Sequence, residues 1–167
     1  MKSFVKIVLI LTIISVSSTF CGFNARSNCI NSSLKGISGV YIVFEDLSPT
    51  LKEARLNADE LKKEIYTAFK NQRIGTYSDY SNKKPDAGVL TFSLKAAEKG
   101  GVIAASLRAD LKQHTLLARP GGIEGIAITW TYHDTGFFES HSAAVDIKNF
   151  VMKAADQFRI DYRKVNR

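Results

Sequence analysis

The chain has two cysteines in 167 residues, Cys21 and Cys29, and both lie near its amino terminus. A disulfide framework therefore cannot hold the main body together, and that body has to rely on a hydrophobic core. Long apolar runs are scarce as well. The longest, from Ile7 to Val16, covers about ten residues, against the roughly 20 that a membrane-spanning helix needs. No stretch packs Arg and Lys densely among aromatic residues, so a nucleic-acid footprint is not expected. The nucleophile elbow, the Gly-rich phosphate loop, zinc-type His and Cys pairing and the EF-hand loop are all missing from the sequence. These absences argue against an enzyme, a bound metal and a cofactor.

The amino terminus has a three-part pattern. Lys2 and Lys6 precede the apolar run, and the small residues Ser17 and Ser18 follow it. This is the plan of a secretory signal peptide over residues 1–18, cut after Ser18. Export to the periplasm or cell envelope is the expectation, with secretion outside the cell as the alternative. Cleavage lowers the formal charge from +7 to +5, because Lys2 and Lys6 leave and no acid does. The remaining surplus is spread along the chain, as a solvated surface would have it.

Residues 19–39 are rich in Ser, Asn and Gly and read as a flexible leader, either a tether or a frayed end. Within it, Cys21 and Cys29 have two readings. They close a small disulfide, or Cys21 is the lipidated first residue of a lipoprotein and ties the chain to a membrane. Phe20 stands where a lipoprotein signal has Gly, Ala or Ser. Asn31-Ser32-Ser33 matches the glycosylation acceptor, which matters only in a eukaryotic secretory route.

Residues 40–167 are expected to form one α+β domain. Val40–Glu45 is a β-branched, apolar run suited to a strand inside a sheet. Asn57 is a good N-cap with Glu60 three residues on, and Leu61, Ile65, Ala68 and Phe69 then recur at helical spacing. A short strand is expected near residues 74–77. Three amphipathic strands follow, with Leu90, Phe92 and Leu94, then Ala105, Leu107, Ala109 and Leu111, then Ile126, Ile128, Trp130 and Tyr132 on the apolar side.

A Lys99-Gly100 turn would set Leu94 opposite Ala105, and a turn at 119–122 would set Leu111 opposite Trp130. From 142 to 166 a stripe of Ile147, Val151, Ala154, Phe158, Tyr162 and Val165 marks the longest helix. The expectation is an antiparallel sheet of about four to five strands in the order β-α-β-β-β-β-α. Both helices pack on one face and the other face is bare.

Candidate binding residues lie on that bare face and in the segment from Tyr132 to His141. Arg108, Asp110 and His133 are charged or titratable positions on a Thr-rich surface. Phe137 and Phe138 are adjacent aromatics beside Gly136, in what reads as a loop, and one of them is expected to be an exposed anchor. His133, Asp134, Glu139 and His141 have the residue types of a metal site, but their spacing matches no metal motif.

A leader, a helix after the first strand, a meander and a long final helix over residues 40–166 resemble small bacterial envelope accessory proteins. The lipopolysaccharide-assembly lipoprotein and the amino-terminal domain of TolB have a similar outline. That resemblance, taken with export, implies a non-catalytic protein that binds an envelope protein or lipid. A secreted inhibitor or effector and a metal-dependent enzyme are the alternatives.

Overall fold

The computed structural model describes residues 33–78, 84–117 and 121–166. The expected signal peptide, most of the expected leader, and Cys21 and Cys29 lie outside them. The elements are β1 (Gly39–Phe44), α1 (Pro49–Glu53), α2 (Ala58–Asn71), β2 (Thr76–Tyr77), β3 (Ala87–Lys99), β4 (Val102–Leu117), β5 (Ile123–Glu139) and α3 (Ala143–Val165). They form an α+β fold around a five-stranded sheet in the order β2-β1-β3-β4-β5.

The sheet is mixed rather than wholly antiparallel. β1 runs parallel to both neighbours, with Val40 beside Thr76 on one side and Gly88 on the other. The β3-β4-β5 meander is antiparallel, as the alternation requires. β1 is flanked by strands on both sides and sheltered on both faces over Val40–Ile42, which explains why its apolar run is unbroken. Its Tyr41 faces away from the helices and is covered by Tyr77 and by the Lys84 backbone, whose N–H donates to the Tyr41 hydroxyl.

The helices are cut from the sequence as their periodicity requires. Asn57 caps α2 by accepting from the Asp59 amide at 2.8 Å, and Leu61, Ile65 and Phe69 turn inward. The extra helix α1 starts at Pro49, whose missing N–H costs nothing in a first turn, and it buries Leu51. α3 lays Ile147, Val151, Ala154 and Phe158 on the core. There Phe158 stacks on Phe69 of α2 and meets the edge of Trp130 of β5.

The core also takes in Leu34 and Ile37, and Asn166 donates to the Leu34 carbonyl. The packed body thus begins by Leu34, inside the stretch expected to be a flexible leader.

Two registers differ in detail from expectation. The first hairpin turns on Gly100-Gly101, not Lys99-Gly100, because both positions have positive φ, at 62° and 79°. A type I′ turn demands that at both central residues, and glycine adopts it without strain. Leu94 therefore faces Leu107, Phe92 faces Ala109 and Leu90 faces Leu111, which keeps the same face inward. The second hairpin has the expected pairs, Leu111 with Trp130 and Ala109 with Tyr132.

Past that point a β-bulge intervenes. Lys112 pairs with Ile128, so Thr129 is the extra residue. Ile126 and Ile128 are thereby moved off the Trp130 face and onto the opposite one, where they are exposed.

Candidate functional site

The core draws its strand residues from one face of the meander, and the helices cover that face. Among the described residues no helix covers the other. On it the cross-strand rows are Thr91-Asp110-Thr131, Ser93-Arg108-His133, Lys95-Ser106-Thr135 and Ala97-Ala104-Phe137. The one-step change of the first turn is felt here. With the turn at Gly100-Gly101, Arg108 lies beside Ser93 and Asp110 takes the place next to Thr91.

Asp110 is the anchor of this face. It is only 9% exposed, and its carboxylate accepts from the Arg108 Nε at 2.8 Å and from the Thr131 hydroxyl at 2.7 Å. A carboxylate held from two sides keeps one orientation, and it orients the guanidinium in turn. Arg108 donates through Nε, and its side chain is more than half exposed. One row along, the His133 Nε2 lies 3.3 Å from the Ser106 hydroxyl. The face thus presents a fixed acid, an oriented guanidinium, an imidazole and a ring of hydroxyls. Such a surface recognises polar and charged groups by hydrogen bonding.

The stretch from Tyr132 to His141 is not a loop. β5 continues through it to Glu139, paired with Val102–Leu107. Strand alternation then separates the residues that carry metal-ligand chemistry. His133 points to the open face, whereas Asp134 accepts from Tyr132 and Lys153 at 2.9 Å on the helix side. Glu139 and His141 form an exposed pair at the far end of the strand. Among the described residues no three His, Cys, Asp or Glu converge to hold a metal.

The same alternation divides the two aromatics. Phe137 is 78% exposed on the open face, while Phe138 packs against Phe150 of α3 and lays its ring over Gly136, where a side chain would collide with it.

The Asp134 group carries the resolved titration shifts of this end of β5. Its hydrogen bonds from Lys153 and then Tyr132 hold the Asp134 carboxyl below the ordinary carboxylate value. Lys153 is raised by the same bond, and Tyr132 is raised by burial first and the neighbouring carboxylate second.

A set of exposed apolar residues escaped sequence reasoning. Leu116, Ile123, Ile126 and Ile128 cluster where β4 and β5 run on beyond the last β3-β4 pair, Val89 with Lys112. The alternation of Ile126, Ile128 and Trp130 passes through Thr129 without a break in the sequence, so the bulge leaves no mark there. The usable signal was in β4. Its core-side positions turn polar after Leu111, at Gln113 and Thr115, which shows that the core has ended. No helix among the described residues is long and apolar enough to cross a membrane. No protein-family model matches the chain, and no curated protein matches it in sequence.

Proposed function

We propose that the chain is a non-catalytic exported accessory protein of the cell envelope, and that it binds another envelope component on the open face of its sheet. The observation that carries this reading is the Asp110 network. Arg108 and Thr131 fix a nearly buried carboxylate in the middle of a face that the described helices leave uncovered. Fixed polar groups on such a face lower the ordering cost of recognition. The sequence at residues 1–18, with its charged start, apolar run and small residues, supports export. The resemblance to envelope accessory proteins is in keeping with both.

The test uses the mature chain as bait against detergent-solubilised envelopes, compared with its Arg108→Ala and His133→Ala variants. A partner recovered by the parent and lost by the variants is the expected result. Recovery of no specific partner, or equal recovery by all three, would sink the proposal. The intact mass of the mature protein reads the cleavage site, lipid and disulfide at Ser18, Cys21 and Cys29 in one measurement.

A further inference from the structure

Phe137 is the most exposed large apolar side chain among the described residues, at 78%. Its strand is paired on both sides of this position along the sequence, so the ring projects from a fixed place on the open face. Beside it lies a hollow. The row neighbours of Phe137 across β4 and β3 are Ala104 and Ala97, whose methyl groups leave a depression of about 480 Å³ that Phe137 walls on the β5 side. An aromatic knob and a small-residue hollow therefore share one row of one face.

A knob and a hollow on the same surface meet the condition for pairing with a second copy. Across the strands the row runs Ala97, Ala104, Phe137, at about 4.8 Å per strand. A two-fold axis parallel to the strands, placed over the gap between β4 and β5, reverses that order in the second copy and keeps each row opposite itself. Phe137 of each copy then descends into the hollow of the other. Sheets packed face to face lie about 10 Å apart, and large side chains set against small ones let them close to that distance.

The charges of the next row fit the same axis. That row is Lys99-Val102-Glu139. Reversal sets Glu139 of each copy over Lys99 of the other, with Val102, 42% exposed, extending the apolar centre between them. Among the described residues Lys99 has no ion-pair partner, and Glu139 meets only the exposed His141. Opposite charges at the two ends of one row become complementary through the reversal that the axis makes.

We infer that the chain pairs with a second copy of itself through this end of the open face, with Phe137 of each copy seated over Ala97 and Ala104 of the other. The shared area is about two strands wide, at the small end of specific interfaces, so a Kd on the order of 10 μM is expected. The inference does not rest on the envelope reading. Arg108 lies two rows, about 13 Å, along β4 from Ala104.

Sedimentation equilibrium of the unlipidated chain from Thr19, with both cysteines reduced, tests the pairing. The parent is expected to dimerise. Phe137→Ala should raise the dissociation constant roughly 100-fold, because symmetry removes two rings at once. Ala104→Gln fills the hollow at an exposed position and should weaken association too. Lys99→Glu and Glu139→Lys should each weaken it roughly fivefold, since each turns two ion pairs into like-charged contacts. An equimolar mixture of those two variants should associate more tightly than either alone, because unlike copies restore both pairs.

Val145→Asp on α3 and Arg108→Ala should stay within about twofold of the parent, as both lie away from the contact, and thermal melting shows that each variant folds. A parent that remains monomeric at about 200 μM overturns the inference. So does a dimer that Phe137→Ala leaves intact, or a mixture of the two charge variants no tighter than its components. Capture of an envelope component reads Arg108 and His133 instead, so either proposal can fail while the other stands.

Discussion

Phe158→Ala offers the most direct test of how the layers are joined. Its ring is fully buried and is the common neighbour of three others: Trp130 at 5.2 Å, Phe69 at 5.6 Å and Tyr162 at 6.1 Å. It therefore links α3 both to α2 and to the sheet. Truncating a buried Phe to Ala costs about 3–5 kcal/mol, as lost transfer energy plus the cavity left behind. Aromatic pairs add about 0.5–1.5 kcal/mol each beyond area.

With three ring neighbours the cost should be near the top of that range, about 4–5 kcal/mol, or roughly three to four decades in the folding equilibrium. Natural domains have about 5–15 kcal/mol in all, so the variant approaches the unfolding threshold. Urea titration reads the effect through Trp130, the single tryptophan, whose ring meets Phe158 directly. The midpoint should fall sharply with the slope unchanged. Ile160→Ala, at a partly exposed position of the same helix, is the control. A Phe158→Ala loss of less than about 1.5 kcal/mol, or no greater than that of the control, would refute the view that this ring joins the layers.

Three further outcomes are expected. Asp134, held below its ordinary value by Lys153 and Tyr132, contributes stability that is full above the unfolded carboxylate pKa and is lost as pH falls through the lower folded value. Urea melts from neutral to acid pH should therefore show a smaller acid loss in Asp134→Asn than in the parent. A Cβ on Gly75 would collide with the Ser38 carbonyl where β1 and β2 meet, so Gly75→Ala should destabilise by about 1–3 kcal/mol in thermal melts. Deleting Thr129 removes the extra residue of the bulge and leaves Ile128 next to Trp130 in sequence and still opposite Lys112, so strict alternation keeps Ile126 and Ile128 on the open face. The deletion variant should bind as much of a hydrophobic dye as the parent, whereas Ile126→Ser should bind less; lower binding by the deletion variant would argue against this register.

The residues that speak locally were legible. Asn57, Leu61, Ile65 and Phe69 specify α2, and the stripe from Ile147 to Val165 specifies α3, because capping and helical spacing are short-range properties. The meander was legible because period-two alternation and glycine turns are local as well.

Other features depend on partners distant in sequence. The VYIVF run of β1 says that strands lie on both sides but not which way they point, so its parallel pairing stayed hidden. The Tyr132–His141 stretch has loop-like Gly, Asp and His. It is held as strand by Val102–Leu107, and an edge strand tolerates polar residues that a central one would not. The positions Arg108, Asp110 and His133 were placed on the open face correctly by parity. Their row neighbours depended on a turn displaced by one residue.

The parallel seam of β1 also has a kinetic meaning. β3, β4 and β5 are joined by short turns and can zip together from local contacts. β1 must instead close a loop that contains both α1 and α2 before Val40 meets Thr76, and that junction with β2 is two residue pairs long. The meander is thus the early-forming part of the sheet, and the β1-β2 seam is the last to shut and the first to open. Amide protons along β2 should accordingly exchange with solvent through small local openings, while those in the middle of β4 wait for the whole domain to unfold.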